Sequence, residues 1–400
     1  MNGLFARQAF TGFGPSLLAS ADETLPMASV RGTRPGRLRA GVRLECPRLP
    51  GVYGMLNEAG ELIYVGKAKC LRSRLLSYFR TKSRDPKAGR ILKNTCVVAW
   101  EPAHGEFAAL LRELELIRRW RPRFNVQGQP NRRRRTYVCV GREPAAYVFL
   151  SPRPPGTAFA CFGPVPAGFH AHEAMRRLND WFRLRDCSQS QKMIFADQGD
   201  LFPILRPAGC MRHEINACLG PCAAACTRGD YSLAVRAAIR FLEGRDAGPL
   251  EALERDMQEA AAAQAFERAA LLRDKWQALH WLSGHLERLR LACRRSCVYP
   301  AVGRDGTRDH WHLIHNGSVH AMAPAPRDAA GRAAAAMALA NVYDGAASAP
   351  PGPEEIDGVL LVAAWFRRHG AEKEKALEPA AARLVCGSNS PFHLRVAGVQ

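Results

Sequence analysis

The stretch PGVYGMLNEAGELIYVGKAKCLRSRLLSYF, residues 50–79, contains two clusters of tyrosine and glycine, GVY and YVG, separated by ten residues. Apolar residues alternate on both sides of NEAG (57–60), whose Asn and Gly favour a tight turn. This pattern predicts a β-hairpin with one tyrosine cluster on each strand. The apolar residues that follow, among them Leu71, Leu75 and Tyr78, recur at helical spacing and predict a helix.

Two further elements are predicted downstream of this helix. TCVVAW (95–100) has the composition of a strand, and GEFAALLRELELIRRW (105–120) has the periodicity of an amphipathic helix. The apolar stripe of this second helix consists of Phe107, Leu110, Leu111, Leu114 and Ile117. The predicted order ββαβα describes a small mixed sheet with helices, and we expect the whole chain to be a multidomain α+β protein.

The charge of the chain indicates the kind of partner. It contains 57 Lys and Arg residues against 37 Asp and Glu residues, a formal net charge of +20, so we expect a polyanion to bind. The basic excess is concentrated in residues 112–142, whereas residues 243–274 alternate both signs as a solvated helix does. No apolar run approaches the ~18 residues of a membrane span. We therefore expect no membrane partner and a cytoplasmic location.

The chain has 13 cysteines, and in a reducing compartment disulfides are not the expected explanation for so many. Metal or cluster ligation is the alternative. Three thiols share one loop-rich segment, CMRHEINACLGPC (210–222). Free cysteines often pack as small apolar residues, and we expect this of Cys46, Cys96, Cys139 and Cys161.

The two triplets, the ten-residue gap and the following GKAKCLRSRLLSYF (66–79) resemble the GIY-YIG nuclease superfamily, and more closely the N-terminal half of UvrC-like and Cho-like excision-repair nucleases. The resemblance continues through CFGPVPAG (161–168). Carried over by position, it implies that Tyr64 is a general base and that Arg74 contacts the scissile phosphate. The catalytic residues that it implies are Tyr53, Tyr64, Lys67, Arg74, Tyr78 and Asn125.

A tyrosine base needs assistance because the pKa of free tyrosine is about 10. A nearby positive charge favours the phenolate, so we expect Lys67 and a metal-bound water to assist Tyr64. The resemblance implies that Glu113 is the single metal-binding carboxylate, and a hard oxygen ligand suits one Mg²⁺ or Mn²⁺ ion. The alternative is a surface glutamate paired with Arg112, Arg118 or Arg119.

Thiolates suit Zn²⁺ or an iron–sulfur cluster. Relatives place a first cysteine at the position of Cys187, and the resemblance points to a 4Fe-4S cluster, with Zn²⁺ as the alternative. The implied ligands are Cys187, Cys210, Cys218 and Cys222. Cys226 is a fifth thiol that could replace one of them. Because hydrolysis needs no redox chemistry, the expected role of the cluster is structural.

LEALERDMQEAAAAQAFERAALLRDKWQAL (250–279) predicts two amphipathic helices joined near Gln264. Such a hairpin is too small to bury its apolar stripe alone and must pack on something. Docking on its own domain is one alternative. The segment AFERAALLRD (265–274) resembles the UVR motif through which UvrC-like proteins and UvrB meet, which implies UvrB as partner. The candidate contact residues are Phe266, Arg273 and Asp274.

Six regions are predicted along the chain. They are a basic, poorly ordered extension (1–45), a GIY-YIG nuclease domain (46–128), a connector (129–186), a Cys-rich cluster region (187–230), a UVR-like hairpin (248–286) and a C-terminal α/β domain of unknown role (290–400). Candidate contacts to DNA phosphates are Arg72, Arg132, Arg133, Arg134 and Arg135. His310, His312 and His320 alternate along a strand, but no Cys or carboxylate spacing supports a metal site there.

The expected function is a structure-specific endonuclease of nucleotide excision repair that acts with UvrB on damaged double-stranded DNA. We expect a single incision near a bulky lesion, on its 3′ side, because the residues after the hairpin show no pattern of a second, RNase H-like nuclease domain. The alternatives are a non-catalytic adaptor that binds DNA and UvrB, and a mobile-element or restriction nuclease that shares only the N-terminal fold.

Overall fold

The computed structural model describes residues 9–16, 26–80, 86–125, 135–188, 190–198, 210–301, 309–345 and 355–387. The chain forms two compact units, one made of residues 1–133 with 292–400 and the other of residues 134–291. Within the described residues, no helix is both long and apolar enough to cross a membrane.

The first unit begins with a four-stranded antiparallel sheet. Its strands are β1 (Ala28–Arg31), β2 (Gly51–Leu56), β3 (Leu62–Ala68) and β4 (Val97–Pro102), in the spatial order β1-β4-β2-β3. The predicted hairpin is confirmed: β2 pairs with β3, and Tyr53 lies opposite Gly66. At the predicted turn, the main-chain N–H of Gly60 donates to the Asn57 carbonyl at 3.1 Å.

Four helices cover the two faces of this sheet. They are α1 (Pro35–Glu45), α2 (Leu71–Ser77), α3 (Pro86–Lys93) and α4 (Glu106–Trp120). Residues of α1, α2 and α3 share one core with Tyr53 and Trp100. α4 packs on the opposite face, where Leu116 belongs to a second core together with Val52 and Val65. The predicted helices at α2 and α4 are confirmed.

The prediction of a poorly ordered extension over residues 1–45 is wrong for residues 26–45, which form β1 and α1. The sequence PGRLRAGVRLE shows little periodicity because only Leu38 and Val42 of α1 are buried. These two side chains become a core only when the sheet is present beneath them. The predicted order ββαβα also lacked β1 and α3.

The segment 9–16 is also ordered, because α4 holds it in place. Phe10 and Phe13 pack in the core on the α4 face of the sheet. Arg119 donates to the Phe13 carbonyl at 2.6 Å and to the Pro15 carbonyl at 2.9 Å. Arg112 donates to the same Pro15 carbonyl at 3.2 Å. The N-terminal segment is therefore part of the packed unit.

The second unit joins a small sheet to a helical layer. The strands β5 (Arg135–Val140), β6 (Val148–Ser151) and β7 (Ala160–Pro166) form an antiparallel sheet in the order β6-β5-β7. The helices are α5 (Phe169–Trp181), α6 (Met211–Glu214), α7 (Arg228–Leu242), α8 (Gly248–Ala262) and α9 (Phe266–Cys293). A single core joins the sheet to α5, α7, α8 and α9.

The predicted helical hairpin is confirmed as α8 and α9, and Gln264 between them has a φ of +57°. α9 continues to Cys293, beyond the predicted end of the hairpin at residue 286. Within the predicted hairpin, Leu279, Leu282 and Leu286 of α9 pack into the core of this unit. Docking of the hairpin on its own unit, one of the alternatives from sequence, is therefore confirmed for this stripe.

The C-terminal residues of the first unit form an antiparallel sheet with helices. The strands β8 (Cys297–Ala301), β9 (His310–His315) and β10 (Ser318–Pro324) lie in the order β10-β9-β8, followed by α10 (Ala329–Tyr343), α11 (Ile356–Arg368), α12 (Gly370–Glu374) and α13 (Pro379–Gly387). The predicted small α/β arrangement and the α+β class are confirmed. His310 and His312 are buried, whereas His320 lies at a bulge in β10 and is exposed.

Candidate active site

Three tyrosines meet on the sheet face that α1, α2 and α3 cover. Tyr53 lies on β2, Tyr64 on β3 and Tyr78 directly after α2. Their ring centroids are 6.0–6.4 Å apart, and the hydroxyls of Tyr53 and Tyr78 form a hydrogen bond of 2.9 Å. A Cβ atom at Gly66 would lie 2.5 Å from the Tyr53 hydroxyl. The glycine of the YVG cluster therefore makes room for the Tyr53 side chain.

Arg74 lies at the solvent edge of this tyrosine cluster. Its Nε donates to the Tyr53 hydroxyl at 3.3 Å, and its guanidinium lies 5.2 Å from the ring centroid of Tyr78. The residue is otherwise exposed. α2 holds the backbone of Arg74, and Tyr53 orients its guanidinium group. The N–H groups that do not bond Tyr53 can therefore donate to a phosphate.

Burial raises the pKa of Tyr53 and of Tyr64 well above the ordinary value of a phenol. For Tyr64, the neighbouring Tyr78 and the charge of Glu113 raise the pKa further, and the positive charge of Arg74 lowers it. Both tyrosines are therefore neutral phenols at neutral pH. Deprotonation of Tyr64 requires additional positive charge close to it.

Lys67 does not point toward Tyr64 as the sequence led us to expect. Its Nζ lies 3.4 Å from a carboxylate oxygen of Glu106, which also pairs with Lys69 at 2.8 Å. The side chains of Tyr64 and Lys67 project to opposite faces of β3, since an odd spacing along a strand reverses the side. The charge of Lys67 instead acts on Glu113, whose pKa it lowers.

Glu113 projects from α4 and is half-buried. Burial raises the pKa of its carboxyl to about 7, although Lys67 and Arg74 lower it and the backbone N–H of Lys67 donates to it. The alternative from sequence, a surface ion pair with a neighbouring arginine, is wrong. Those arginines pair elsewhere: Arg112 with Glu101 and Glu115, Arg119 with Glu115, and Arg118 with Asp357.

Asn125 is buried behind β3. Its side-chain oxygen accepts the main-chain N–H of Val65 at 2.8 Å, and its nitrogen donates to the Val65 carbonyl at 2.7 Å. Both contacts are made to the residue that follows Tyr64. In this geometry Asn125 fixes the backbone of β3, and so acts on the position of Tyr64.

α4 is held by residues that the sequence patterns did not single out. Buried Arg112 donates to both carboxylate oxygens of Glu101, at 2.8 and 3.1 Å, and so ties α4 to β4. On the same helix Phe107 packs against Tyr299 and Trp365, with ring centroids 5.2 Å apart in each pair. Contacts between segments so far apart in the sequence leave no local signal in either segment.

The candidate phosphate contacts have different surroundings. Arg72 donates through Nε to the Cys46 carbonyl at 2.5 Å and so ties α2 to the end of α1. Arg135 is the first residue of β5, and burial lowers the pKa of its guanidinium. Arg132, Arg133 and Arg134 lie outside the described residues.

Three of the candidate thiols of the second unit lie close enough to the fourth, Cys218, to affect its pKa. Burial raises the pKa of Cys218, and the charges of Cys222, Cys210 and Cys187 raise it further. Within the part of the chain that the structure describes, no group of three or more His, Cys, Asp or Glu side chains has the geometry to hold a metal ion. Cys226 is buried and packs with the apolar core of this unit.

Arg185 and Gly220 shape this cysteine loop, and the sequence patterns gave neither a role. Arg185 donates to the Cys187 sulfur at 3.6 Å, and its charge lowers the pKa of Cys222, which burial raises. Gly220 has a φ of +72°, and a Cβ atom there would lie 2.8 Å from His213. The loop between Cys218 and Cys222 therefore requires glycine at this position.

The candidate partner residues lie on the first turns of α9. Phe266 is 69% exposed and Leu271 is 58% exposed, whereas the apolar stripe that begins at Leu279 is buried. Arg273 and Asp274 are exposed and lie 3.7 Å apart. The hairpin thus buries one stripe in its own unit and leaves the side chains of Phe266 and Leu271 open to solvent.

Comparison with known families identifies three consecutive segments. Residues 49–126 match a UvrC-like GIY-YIG domain, residues 137–241 match the UvrC/Cho excinuclease middle domain, and residues 248–280 match the UvrB/uvrC motif. These segments contain the tyrosine cluster, the cysteine loop and the helical hairpin, in that order.

Similar proteins include UvrABC system protein C of Desulforudis audaxviator, 35% identical over 270 residues (66% of this chain and 40% of the relative). That of Alcanivorax borkumensis is 34% identical over 239 residues (59% and 37%). The chain thus spans at most about 40% of the length of these relatives. The solved GIY-YIG endonuclease domain of UvrC from Thermotoga maritima, bound to magnesium, is 36% identical, with a TM-score of 0.20, and the match covers 22% of this chain and 93% of that one.

The family matches agree with the resemblance that the tyrosine triplets, the segment CFGPVPAG (161–168) and the hairpin indicated from sequence. Three matches in the same order also distinguish this chain from proteins that share the N-terminal nuclease domain only. The chain therefore contains a UvrC-like GIY-YIG domain, a UvrC/Cho excinuclease middle domain and a UvrB/uvrC motif, in this order along the sequence.

Proposed function

We propose that this protein is a metal-dependent DNA endonuclease of nucleotide excision repair, which nicks damaged double-stranded DNA near bulky lesions together with UvrB. The observation that carries the proposal is the convergence of Tyr53, Tyr64, Tyr78 and Arg74 on one sheet face, with the charge of Glu113 acting on Tyr64. We propose that this site makes an incision on the 3′ side of the lesion, by analogy with the family.

Glu113 has the chemistry of a ligand for one Mg²⁺ or Mn²⁺ ion. It is a half-buried carboxylate that neighbouring arginines do not neutralise, and its pKa of about 7 shows that its negative charge is poorly stabilised by the protein alone. Hard divalent cations bind such oxygen ligands. When bound, the cation supplies positive charge that favours the Tyr64 phenolate and neutralises the leaving oxygen.

Each of the other candidate catalytic side chains has its own proposed role. Arg74 binds the scissile phosphate, where a guanidinium fork matches two of its oxygens. Tyr53 accepts a hydrogen bond from Arg74 and shares another with Tyr78, so the tyrosine pair orients the guanidinium. Tyr64 takes the proton of the attacking water once its own proton has been lost. Asn125 keeps β3, and with it Tyr64, in place.

We propose that Cys187, Cys210, Cys218 and Cys222 hold a 4Fe-4S cluster with a structural role, and that Zn²⁺ is the alternative. Cys187 and Cys210 both raise the pKa of Cys218 and of Cys222, and the proximity that this requires supports the ligand set. The guanidinium of Arg185, which donates to the Cys187 sulfur, lowers the pKa of Cys222 and so favours the Cys222 thiolate. Cys226, whose pKa burial raises to about 11, packs in the apolar core and suits a structural thiol.

We propose UvrB as the protein partner, bound through the first turns of α9, where Phe266 and Leu271 are exposed. Exposed apolar side chains of this size on a helix that otherwise packs well are typical of a binding surface. Arg273 and Asp274 lie on the same helix and would give the contact a charged rim.

The complete set of catalytic side chains argues against a non-catalytic adaptor, and the middle domain and UVR motif argue against a mobile-element or restriction nuclease. The test is incision of a duplex with one defined bulky adduct, labelled at either end, with and without UvrB. We expect one nick in Mg²⁺ that Tyr64→Phe and Glu113→Gln abolish. Exposed Glu58→Gln on the hairpin turn is the matched control. Full activity of Tyr64→Phe or Glu113→Gln would refute the assignment.

A further inference from the structure

The two faces of the N-terminal sheet differ sharply in charge. The three helices on the tyrosine face carry eight cationic residues and a single acidic one, Glu45. The cationic residues are Arg37, Arg39, Arg43, Arg72, Arg74, Lys87, Arg90 and Lys93. On the other face, α4 offsets its arginines with Glu106, Glu113 and Glu115. The tyrosine face is therefore a surface for an anion larger than one phosphate.

The arginines of α1 form the least compensated part of this surface. Arg37, Arg39 and Arg43 are exposed, while Leu38 and Val42 between them are buried. Within the described part of the chain, none of the three arginines forms an ion pair. Arg39 and Arg43 are also four residues apart, a spacing at which like charges on a helix repel. This arrangement is unfavourable for folding alone and favourable for binding a polyanion.

The position of α1 links these arginines to the active site. Leu38 and Val42 pack in the same core as Tyr53 and Tyr78. α1 also lies beside α2, since Arg72 of α2 donates to the carbonyl of Cys46 at the end of α1. α2 carries Arg74, the candidate contact to the scissile phosphate. An extended anion that reaches Arg74 therefore has α1 next to its path.

We propose that α1 is a second contact for the DNA backbone, in which Arg37, Arg39 and Arg43 bind phosphates that flank the scissile one. The proposal rests on the proposed nuclease function and adds a surface outside the GIY-YIG match at residues 49–126. Eleven helical residues are about 16 Å long, enough to follow several phosphates of a duplex. The contact is independent of base sequence, because guanidinium groups that bind phosphates recognise the charge of the backbone and not the bases.

The test compares Arg37→Ala/Arg39→Ala/Arg43→Ala with a control that removes the same charge from exposed positions of the same unit, Arg294→Ala/Arg367→Ala/Arg368→Ala. Binding to a lesion-containing duplex is measured in EDTA, without cleavage, over a series of salt concentrations. Removal of one phosphate-binding cation lowers the slope of log K against log salt by about 0.9. We expect the slope to fall by about 2–3 units and the affinity at least tenfold in the α1 variant, and the slope by less than about 1 unit in the control.

A third variant, Arg37→Lys/Arg39→Lys/Arg43→Lys, keeps the charge and should retain most of the wild-type slope. Equal decreases in the two alanine variants would overturn the proposal, because net charge alone would then explain the binding. An unchanged slope in the α1 variant, with the melting temperature of the wild type, would overturn it as well. Binding that depends on α1 in a protein that never nicks DNA would refute the nuclease function and leave the α1 contact standing.

Discussion

The hydroxyl of Tyr53 lies 2.9 Å from that of Tyr78 and also accepts a hydrogen bond from Nε of Arg74 at 3.3 Å. Tyr53 comes from the first strand of the hairpin, whereas Tyr78 and Arg74 come from the helical segment that follows the second strand. The hydrogen bonds therefore join the two halves of the motif, and they hold Arg74 where it can meet a phosphate.

Tyr53→Phe should weaken catalysis through Arg74 without changing the fold. The substitution keeps the buried ring and removes the hydroxyl that bonds Tyr78 and accepts from Arg74. Loss of the contact with Arg74 costs about 1–1.5 kcal/mol, which corresponds to roughly a five- to tenfold slower incision. Single-turnover nicking measures this rate. Tyr147→Phe, in the other unit, is the matched control and should nick at the wild-type rate. Wild-type incision by Tyr53→Phe would show that Arg74 does not depend on Tyr53.

The Mg²⁺ requirement should depend on pH through Glu113. Its carboxyl has a raised pKa of about 7, so it is protonated below that pH and binds a cation poorly. As the pH falls from about 7 to about 6, the half-saturating Mg²⁺ concentration for nicking should rise up to about tenfold, and it should level off above about pH 8. Metal titrations at several pH values test this. A constant Mg²⁺ requirement across this range would contradict the assignment of Glu113 as ligand.

Trp365→Ala should destabilise the first unit, because the side chain is buried against Phe107 of α4. Removing a buried tryptophan costs about 3–5 kcal/mol. Urea unfolding, followed by the fluorescence of the remaining tryptophans, measures the decrease in stability. Leu384→Ala is the control, since Leu384 is 76% exposed, and should change the stability by less than about 0.5 kcal/mol. Equal stabilities of the two variants would contradict the packing of α11 on α4.

Cys218→Ser and Cys226→Ser should separate the ligand thiols from the structural one. Anaerobically purified protein should be brown, and Cys218→Ser should lose iron and labile sulfide while Cys226→Ser retains both. Iron, zinc and sulfide analysis of the purified variants decides the point. Stoichiometric zinc without iron in the wild type would favour the zinc alternative, and loss of iron in Cys226→Ser would place that thiol among the ligands.

Phe266→Ala should weaken the contact with UvrB and leave the fold intact, because its side chain is 69% exposed. Truncation of an apolar anchor at a binding surface costs about 1–2 kcal/mol or more, so the Kd for UvrB should rise about tenfold. Calorimetry with purified UvrB measures it. Exposed Leu233→Ala on α7 is the matched control. Unchanged affinity of Phe266→Ala for UvrB would exclude Phe266 as part of the binding site.

The elements that could be predicted from sequence are those with strong local patterns. The β2–β3 hairpin, α4 and the α8–α9 hairpin each show their periodicity within one short segment. The candidate catalytic residues Tyr53, Tyr64 and Arg74 could be predicted for the same reason, because they belong to one short stretch, residues 53–74. The sequence shows the glycine of YVG, whereas the structure shows why it is needed: it makes room for the Tyr53 side chain.

Other features depend on contacts between residues far apart in the chain. α1 has only two buried side chains, and these form a core only by packing on the sheet. The pairing of Lys67 with Glu106 follows from the side of β3 on which Lys67 lies and from the position of α4. Phe107 and Trp365 meet although most of the chain separates them in sequence. Local propensity reports which segments become helices and strands, whereas the partner of each buried or charged side chain is set by which segments pack together in three dimensions.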